Sequence, residues 1–235
     1  MEKQELRERV WDGLEASGEA RFPFPPHGRI PNFAGADDAA DRLRGLDAWI
    51  GAETVKANPD APQLPARRAA LDVGKTVYMA VPRLRDERCF YLLDPTKLAD
   101  PDAAATVSKV ADHAEQVGPD AVDRVDLVLV GSVAVTTDGA RVGKGEGYSD
   151  LEFAVLTELG LVDDGTTVVT TVHEQQVVDD PVPVDDHDVP LDVVVTPERT
   201  IETETSHDRP AGIDWAALDE ERVTEIPVLE RLRSS

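Results

Sequence analysis

The run Asp126-Leu127-Val128-Leu129-Val130-Gly131-Ser132-Val133-Ala134-Val135 leads into Gly139-Ala140-Arg141-Val142-Gly143-Lys144-Gly145-Glu146-Gly147-Tyr148-Ser149-Asp150-Leu151-Glu152. The first stretch is apolar at every position between Asp126 and Gly131, as in a strand buried on both faces, and it reads as one or two strands. Leu151 to Leu159 reads as a helix. Between them, glycines at alternating positions let the backbone take positive φ and approach a ligand closely. A helix start adds free N–H groups and a positive dipole end, a natural seat for phosphate. Arg141 and Lys144 supply cations, and Asp150 supplies a carboxylate suited to Mg2+ against phosphate oxygens. The strand–loop–helix unit therefore reads as a nucleotide-phosphate site on an α/β fold. Its Gly-x-Gly-x-Gly spacing fits neither the dinucleotide fingerprint nor the Walker A loop. A purely structural turn is the alternative.

Working outward, Glu2 to Ala16 has Leu6, Val10 and Leu14 four apart along one side of a helix. Lys3 and Arg7 share another face of it, which by itself reads as solvated. Ala20 to Gly35 is irregular and proline-rich, and His27 to Phe33 mixes basic and aromatic groups in a loop that is either a substrate contact or a packed connection. Ala36 to Leu46, Arg67 to Val73, Ala103 to Ala114 and Asp214 to Thr224 read as helices. Glu53 to Ala57, Thr76 to Val81, Cys89 to Leu93, Thr167 to His173 and Leu191 to Thr196 read as strands. Helices alternating with short apolar strands predict α/β with a mostly parallel sheet, whose ligands bind at the carboxyl ends of strands.

The chain has 235 residues, a formal net charge of -23 and 47 Asp plus Glu against 24 Lys plus Arg. Lysine is scarce and the acid is spread along the chain. Such a surface suits a cytoplasm at molar salt, where self-repulsion is screened, so a halophilic, haloarchaeal source is expected. Net acidity and the lack of a basic-aromatic stretch argue against nucleic-acid binding. There is no apolar run of about 18 residues for a membrane span. The charged N-terminus lacks a secretory core and Cys89 stands alone, so a cytoplasmic protein without disulfides is expected. His173 and Glu174 lack a standard metal spacing. Asp185, Asp186 and Asp188 read first as solvated surface.

Several segments resemble the 5-formyltetrahydrofolate cyclo-ligase family, also called methenyltetrahydrofolate synthetases. These are Lys3-Gln4-Glu5-Leu6-Arg7, Gly74-Lys75 through Pro82, Gly139 through Asp150, His173 through Gln176 and His187-Asp188 through Thr196. Arg29 to Phe33, Val81 to Arg85, Gly131 to Val135 and Gly143 to Glu152 resemble in particular a divergent branch, the methenyltetrahydrofolate synthetase domain-containing proteins. The RNA-recognition domain of that branch's vertebrate members has no counterpart in these residues.

The resemblance implies one cyclo-ligase-like domain over residues 1–235, with a CoA-transferase-like three-layer fold. It implies ATP- and Mg2+-dependent closure of 5-formyltetrahydrofolate to 5,10-methenyltetrahydrofolate; a non-catalytic nucleotide- or folate-binding protein on the same fold is the alternative. Lys3, Arg7, Arg141, Gly143, Lys144, Gly145, Glu146, Gly147 and Tyr148 would bind ATP. Lys144, Tyr148 and Arg141 would serve catalysis. Glu53, Lys144 and Tyr148 would contact a reduced folate or related pterin. Asp150 and Asp188 would hold Mg2+. The family's double tyrosine is Tyr148-Ser149 here, and Glu146 stands where the family has glycine or lysine.

Overall fold

The computed structural model describes residues 2–234. Its strands are β1 (Ala20–Arg21), β2 (Asn32–Phe33), β3 (Thr54–Ala57), β4 (Thr76–Ala80), β5 (Phe90–Leu93), β6 (Glu115–Val117), β7 (Leu127–Val130), β8 (Ala134–Val135), β9 (Arg141–Val142), β10 (Thr167–Thr171), β11 (Val193–Val195) and β12 (Thr200–Glu202). Its α-helices are α1 (Lys3–Ser17), α2 (Ala36–Leu43), α3 (Asp47–Gly51), α4 (Leu64–Asp72), α5 (Pro101–Ala104), α6 (Val110–His113), α7 (Tyr148–Glu158), α8 (Glu220–Glu225) and α9 (Pro227–Arg233).

An eight-stranded sheet in the order β12-β11-β10-β7-β3-β4-β5-β6 forms the middle layer. Its inner strands β11, β10, β7, β3 and β4 run parallel, and β12, β5 and β6 add antiparallel edges. Successive side chains on a strand face opposite ways, so each buried strand feeds two cores. Leu127, Leu129, Val77 and Met79 join the helices α2 and α4 on one face. Val128, Val130, Tyr78 and Ala80 join α7, α8 and α9 on the other. Burial of this apolar surface, worth about 25 cal/mol per Å2, drives the three-layer assembly. A third cluster packs Leu6, Val10, Trp11 and Leu14 of α1 against the β8–β9 hairpin.

Asp126 to Val135 divides into two strands that join different sheets, β7 and β8; Gly131 lies between them, and a Cβ there would lie 2.8 Å from Ile30. The helix expected at Ala103 to Ala114 is two short ones, α5 and α6. The expected last helix from Asp214 begins only at Glu220, where the Asp219 side chain accepts from the Arg222 N–H and caps it. No helix among the described residues is long and apolar enough to cross a membrane.

The chain leaves β3 toward β4 on one side and later returns through β7 toward β10 on the other. The carboxyl ends of β3 and β7 therefore flank a topological switch point, where an open α/β sheet leaves a crevice.

Candidate functional site

A cavity of about 900 Å3 occupies that crevice. Asn58, Pro59 and Asp60, just past β3, line it together with Gly131, just past β7. Arg141, Gly143, Lys144, Glu146 and the first turn of α7, Tyr148 to Asp150, form a second wall. Phe22, Arg29, Ile30 and Asn32 from the proline-rich segment, with Arg83, complete it. Within the His27 to Phe33 segment, Arg29, Ile30 and Asn32 belong to the cavity wall.

The glycines have distinct tasks. Gly139 has φ +90° and a Cβ there would sit 2.6 Å from the Leu191 carbonyl oxygen, so it is a turn glycine of the β8–β9 hairpin. Gly145 has φ +101°, and a Cβ there would meet the Arg7 guanidinium carbon at 3.4 Å. Arg7 Nε donates to the Gly143 carbonyl at 2.7 Å. The first helix therefore grips the glycine segment from outside, and Arg7 does not line the cavity. The helix starts at Tyr148, earlier than the apolar pattern indicates, with Gly147 at φ +70° as its cap. Its leading amides have no partner within the helix and stand at the cavity wall.

Arg141 is buried, donates to the Gly131 carbonyl at 2.9 Å and pairs with Asp150. The same Asp150 oxygen, Oδ1, accepts from the Val189 N–H at 3.1 Å. Oδ2 has no partner among the described residues, leaving one hard oxygen donor on a cavity-lining residue, a donor type that fits Mg2+. The buried Nε atoms of Arg29 and Arg141 also have no hydrogen-bond partner. Buried donors normally find acceptors, so these two atoms among the described residues are exceptions.

Other residues go elsewhere. Asp188 does not line the cavity; its carboxylate takes the Lys3 ammonium at 2.5 Å and the Asp185 N–H at 2.8 Å. Lys3 also reaches Asp185 at 2.7 Å. Carboxylate and imidazole donor atoms of Asp185, His187 and Asp188 lie within 4.8 Å of one another, but Lys3 already supplies their cation. Burial works against the charged Lys3, yet the two carboxylates outweigh it and raise its pKa. Lys3 and Asp188 thus neutralise each other outside the cavity. Glu53 precedes β3 at the amino end of the sheet, where its backbone N–H donates to Asp126, so it stands opposite the switch point and leaves the site. His173 caps its own turn by accepting from the Gln175 N–H at 3.2 Å.

The sequence alone did not mark Asn58, Asp60, Arg67 and Glu152, which line the cavity, or the role of Lys56 behind them. On β3, Val55 and Ala57 face the α2–α4 core, which turns Lys56 toward α7. There its Nζ pairs with Glu152, and the two are 1% and 5% exposed. Lys56 also donates to Asn58 Oδ1 at 3.0 Å, and Asn58 Nδ2 to Ser149 Oγ at 3.2 Å. Arg67, on α4, donates to the carbonyls of Asn58, Asp60 and Pro59 and so fixes the loop after β3. Burial lowers the Arg67 pKa to about 10, still far above neutrality. Burial raises the pKa of Asp60, partly offset by Lys144 and Arg67. One signal was present: Lys56 is a charge inside an otherwise apolar strand.

The 5-formyltetrahydrofolate cyclo-ligase family profile matches residues 1–197. The chain belongs to the 5-formyltetrahydrofolate cyclo-ligase family. Among curated relatives of this cyclo-ligase family member, it is 47% identical over 235 residues to the methenyltetrahydrofolate synthase domain-containing protein of Mus musculus, covering 98% of this chain and 63% of that protein. It is 41% identical over 236 residues to the human protein of the same description, covering 99% of this chain and 61% of that protein. The chain thus spans less than two thirds of the length of these relatives. The Aquifex aeolicus 5,10-methenyltetrahydrofolate synthetase superposes with a TM-score of 0.56 at 20% identity, covering 88% of this chain and 96% of the other, a likeness of fold.

Two residues at which the resemblance implies other residue types have partners in the structure. Glu146 does not stand unpaired beside the cavity; its carboxylate lies 2.8 Å from Lys144 Nζ. Ser149, at the second tyrosine position of the resemblance, joins the Asn58–Lys56–Glu152 network.

Proposed function

We propose that this chain closes 5-formyltetrahydrofolate to 5,10-methenyltetrahydrofolate at the switch-point cavity, using ATP and releasing ADP and phosphate. The observation that supports this most is one cavity wall carrying Arg141, Lys144, the glycine segment and the start of α7, in a member of the cyclo-ligase family. Activation of the formyl oxygen by phosphoryl transfer, followed by attack of N10 and loss of phosphate, depends mainly on positioning and charge neutralisation. The first-turn amides of α7 and Lys144 would receive phosphate oxygens. Arg141 would hold Asp150 in place, and Tyr148 would contact the reacting group. Bound Mg2+, taken by Asp150 Oδ2, would supply charge neutralisation at phosphate. Residues 1–235 would act as one domain, without nucleic acid or membrane, in a salt-rich cytoplasm.

The test is an assay of purified protein in molar KCl with 5-formyltetrahydrofolate, ATP and Mg2+. Methenyltetrahydrofolate is followed by absorbance, with ADP release as second readout. ATP-dependent product is expected. The Lys144–Glu146 ion pair favours a second reading, a non-catalytic nucleotide- or folate-binding protein, because it already neutralises the cation meant for phosphate. Thermal stabilisation by ATP-Mg2+ or folate without any product would select that reading.

A further inference from the structure

The glycine segment is gripped by arginines from both ends of the chain. Arg7 holds Gly143 and Gly145. Arg222, on α8, lies beyond the residues matched by the family profile and does not line the cavity. Its guanidinium carbon sits 4.5 Å from the centroid of the Tyr148 ring. Its Nη2 donates to the Glu146 carbonyl at 2.7 Å, and a Cβ on Gly147 would lie 3.7 Å from the same nitrogen. One side chain thus touches three consecutive residues, Glu146, Gly147 and Tyr148, two of which have backbone or ring groups committed to it. The helix carrying it is anchored in the core through Val223, and Ile226, Val228 and Leu229 just beyond it are buried in the same cluster.

A glycine at positive φ is a costly place to order a chain, because glycine loses the most conformational freedom on folding. Gly145 and Gly147 both adopt positive φ. Without external contacts the residues from Gly143 to Gly147 would sample many conformations, and Tyr148, partly buried against the core, would lose its cation partner.

We propose that Arg222 is a positioning residue of the site: by stacking on Tyr148 and holding the Glu146 carbonyl, it fixes the cavity-facing glycine segment from a part of the chain outside the family match. The consequence for ligand binding rests on the cavity being the nucleotide–folate site; the ordering of the segment does not.

The experiment compares wild type, Arg222→Ala and Arg222→Lys in the full chain, by hydrogen exchange of the amides from Gly143 to Ser149, by thermal melting, and by calorimetric titration with ATP-Mg2+. One carbonyl hydrogen bond and one cation–π contact together correspond to about tenfold in a local opening equilibrium. Exchange of the segment is expected to rise about tenfold in Arg222→Ala and to be largely restored in Arg222→Lys, which keeps a cation and donors. The melting temperature is expected to fall by about 5 °C or less, because global unfolding breaks the same contacts, while amides of β7 and β10 stay far slower to exchange than the segment. Segment exchange at the wild-type rate in Arg222→Ala would overturn the proposal. So would wild-type segment amides as slow to exchange as those of β7 and β10, since the segment would then open only with the whole fold. ATP affinity is expected to fall in proportion to the fraction of molecules whose segment stays closed, by up to about tenfold. Unchanged ATP affinity despite a loosened segment would overturn the link to ligand binding. A loosened segment in a protein whose wild type binds no ATP would uphold the positioning role and defeat the cavity's assignment.

Discussion

Replacing Lys56 by Met tests whether the buried Lys56–Glu152 pair is held as two charges. The two side chains are 1% and 6% exposed, so neither charge is relieved by water. Lys56 is also bonded to Asn58, whose amide reaches Ser149 at the cavity. Removing the ammonium leaves a buried carboxylate without a cation, which costs about 3–5 kcal/mol. Met keeps most of the volume, so little of the loss comes from a cavity. Replacing both partners, Lys56→Met with Glu152→Leu, removes the uncompensated charge, and apolar replacement of a buried pair is often near neutral. The double variant should therefore recover most of the loss, with stabilities read from urea unfolding by linear extrapolation. Breaking the exposed Arg44–Asp41 pair by Asp41→Ala is the control, and exposed pairs are worth about 1 kcal/mol or less. Added KCl should shift the control and leave the Lys56→Met deficit almost unchanged, because buried pairs are poorly screened. A deficit of about 1 kcal/mol or less, or a double variant as unstable as the single, refutes the reasoning.

Asp150→Asn should lose at least about a hundredfold in ATP-dependent turnover while keeping its melting temperature, since the amide oxygen still accepts from Arg141. Asp150→Ala, by contrast, strands the buried Arg141 guanidinium and should lose about 3 kcal/mol in urea unfolding. Burial raises the Asp60 pKa from its ordinary 3.8, so the native state prefers the neutral acid. The stability this contributes is present below the ordinary carboxylate value and is lost as pH rises through the raised one. Asp60→Asn should therefore match wild type in acid and become more stable than wild type toward neutral pH in a melting series. Burial pushes the Cys89 thiol up to about 12, so iodoacetamide at neutral pH should modify it only on unfolding, which intact mass shows directly.

Much of the architecture was legible along the chain because it is written in local patterns. Val-rich apolar runs marked the inner strands, the four-residue spacing of Leu6, Val10 and Leu14 marked α1, and the glycine segment marked the strand-to-helix turn. Short edge strands were not legible, because Glu115–Val117 and Thr200–Glu202 carry no alternation of their own and exist through pairing with β5 and β11.

By itself the sequence determined an acid-rich α/β chain with a glycine segment flanked by Arg141, Lys144 and Asp150. Only the tertiary structure decided which charges belong to the cavity. Lys3 looked like a phosphate contact, but two carboxylates of a distant loop take its charge. Glu53 looked like a substrate contact, but strand direction carries it to the far end of the sheet. Asn58, Asp60, Arg67 and Arg222 were unremarkable in sequence and meet the site through strand order and helix packing. Periodicity is set by neighbours a few residues away, so one chain reveals it. The partner of a charge is set by which segments the sheet brings together, and residues such as Lys3 and Asp188 meet only across the folded chain.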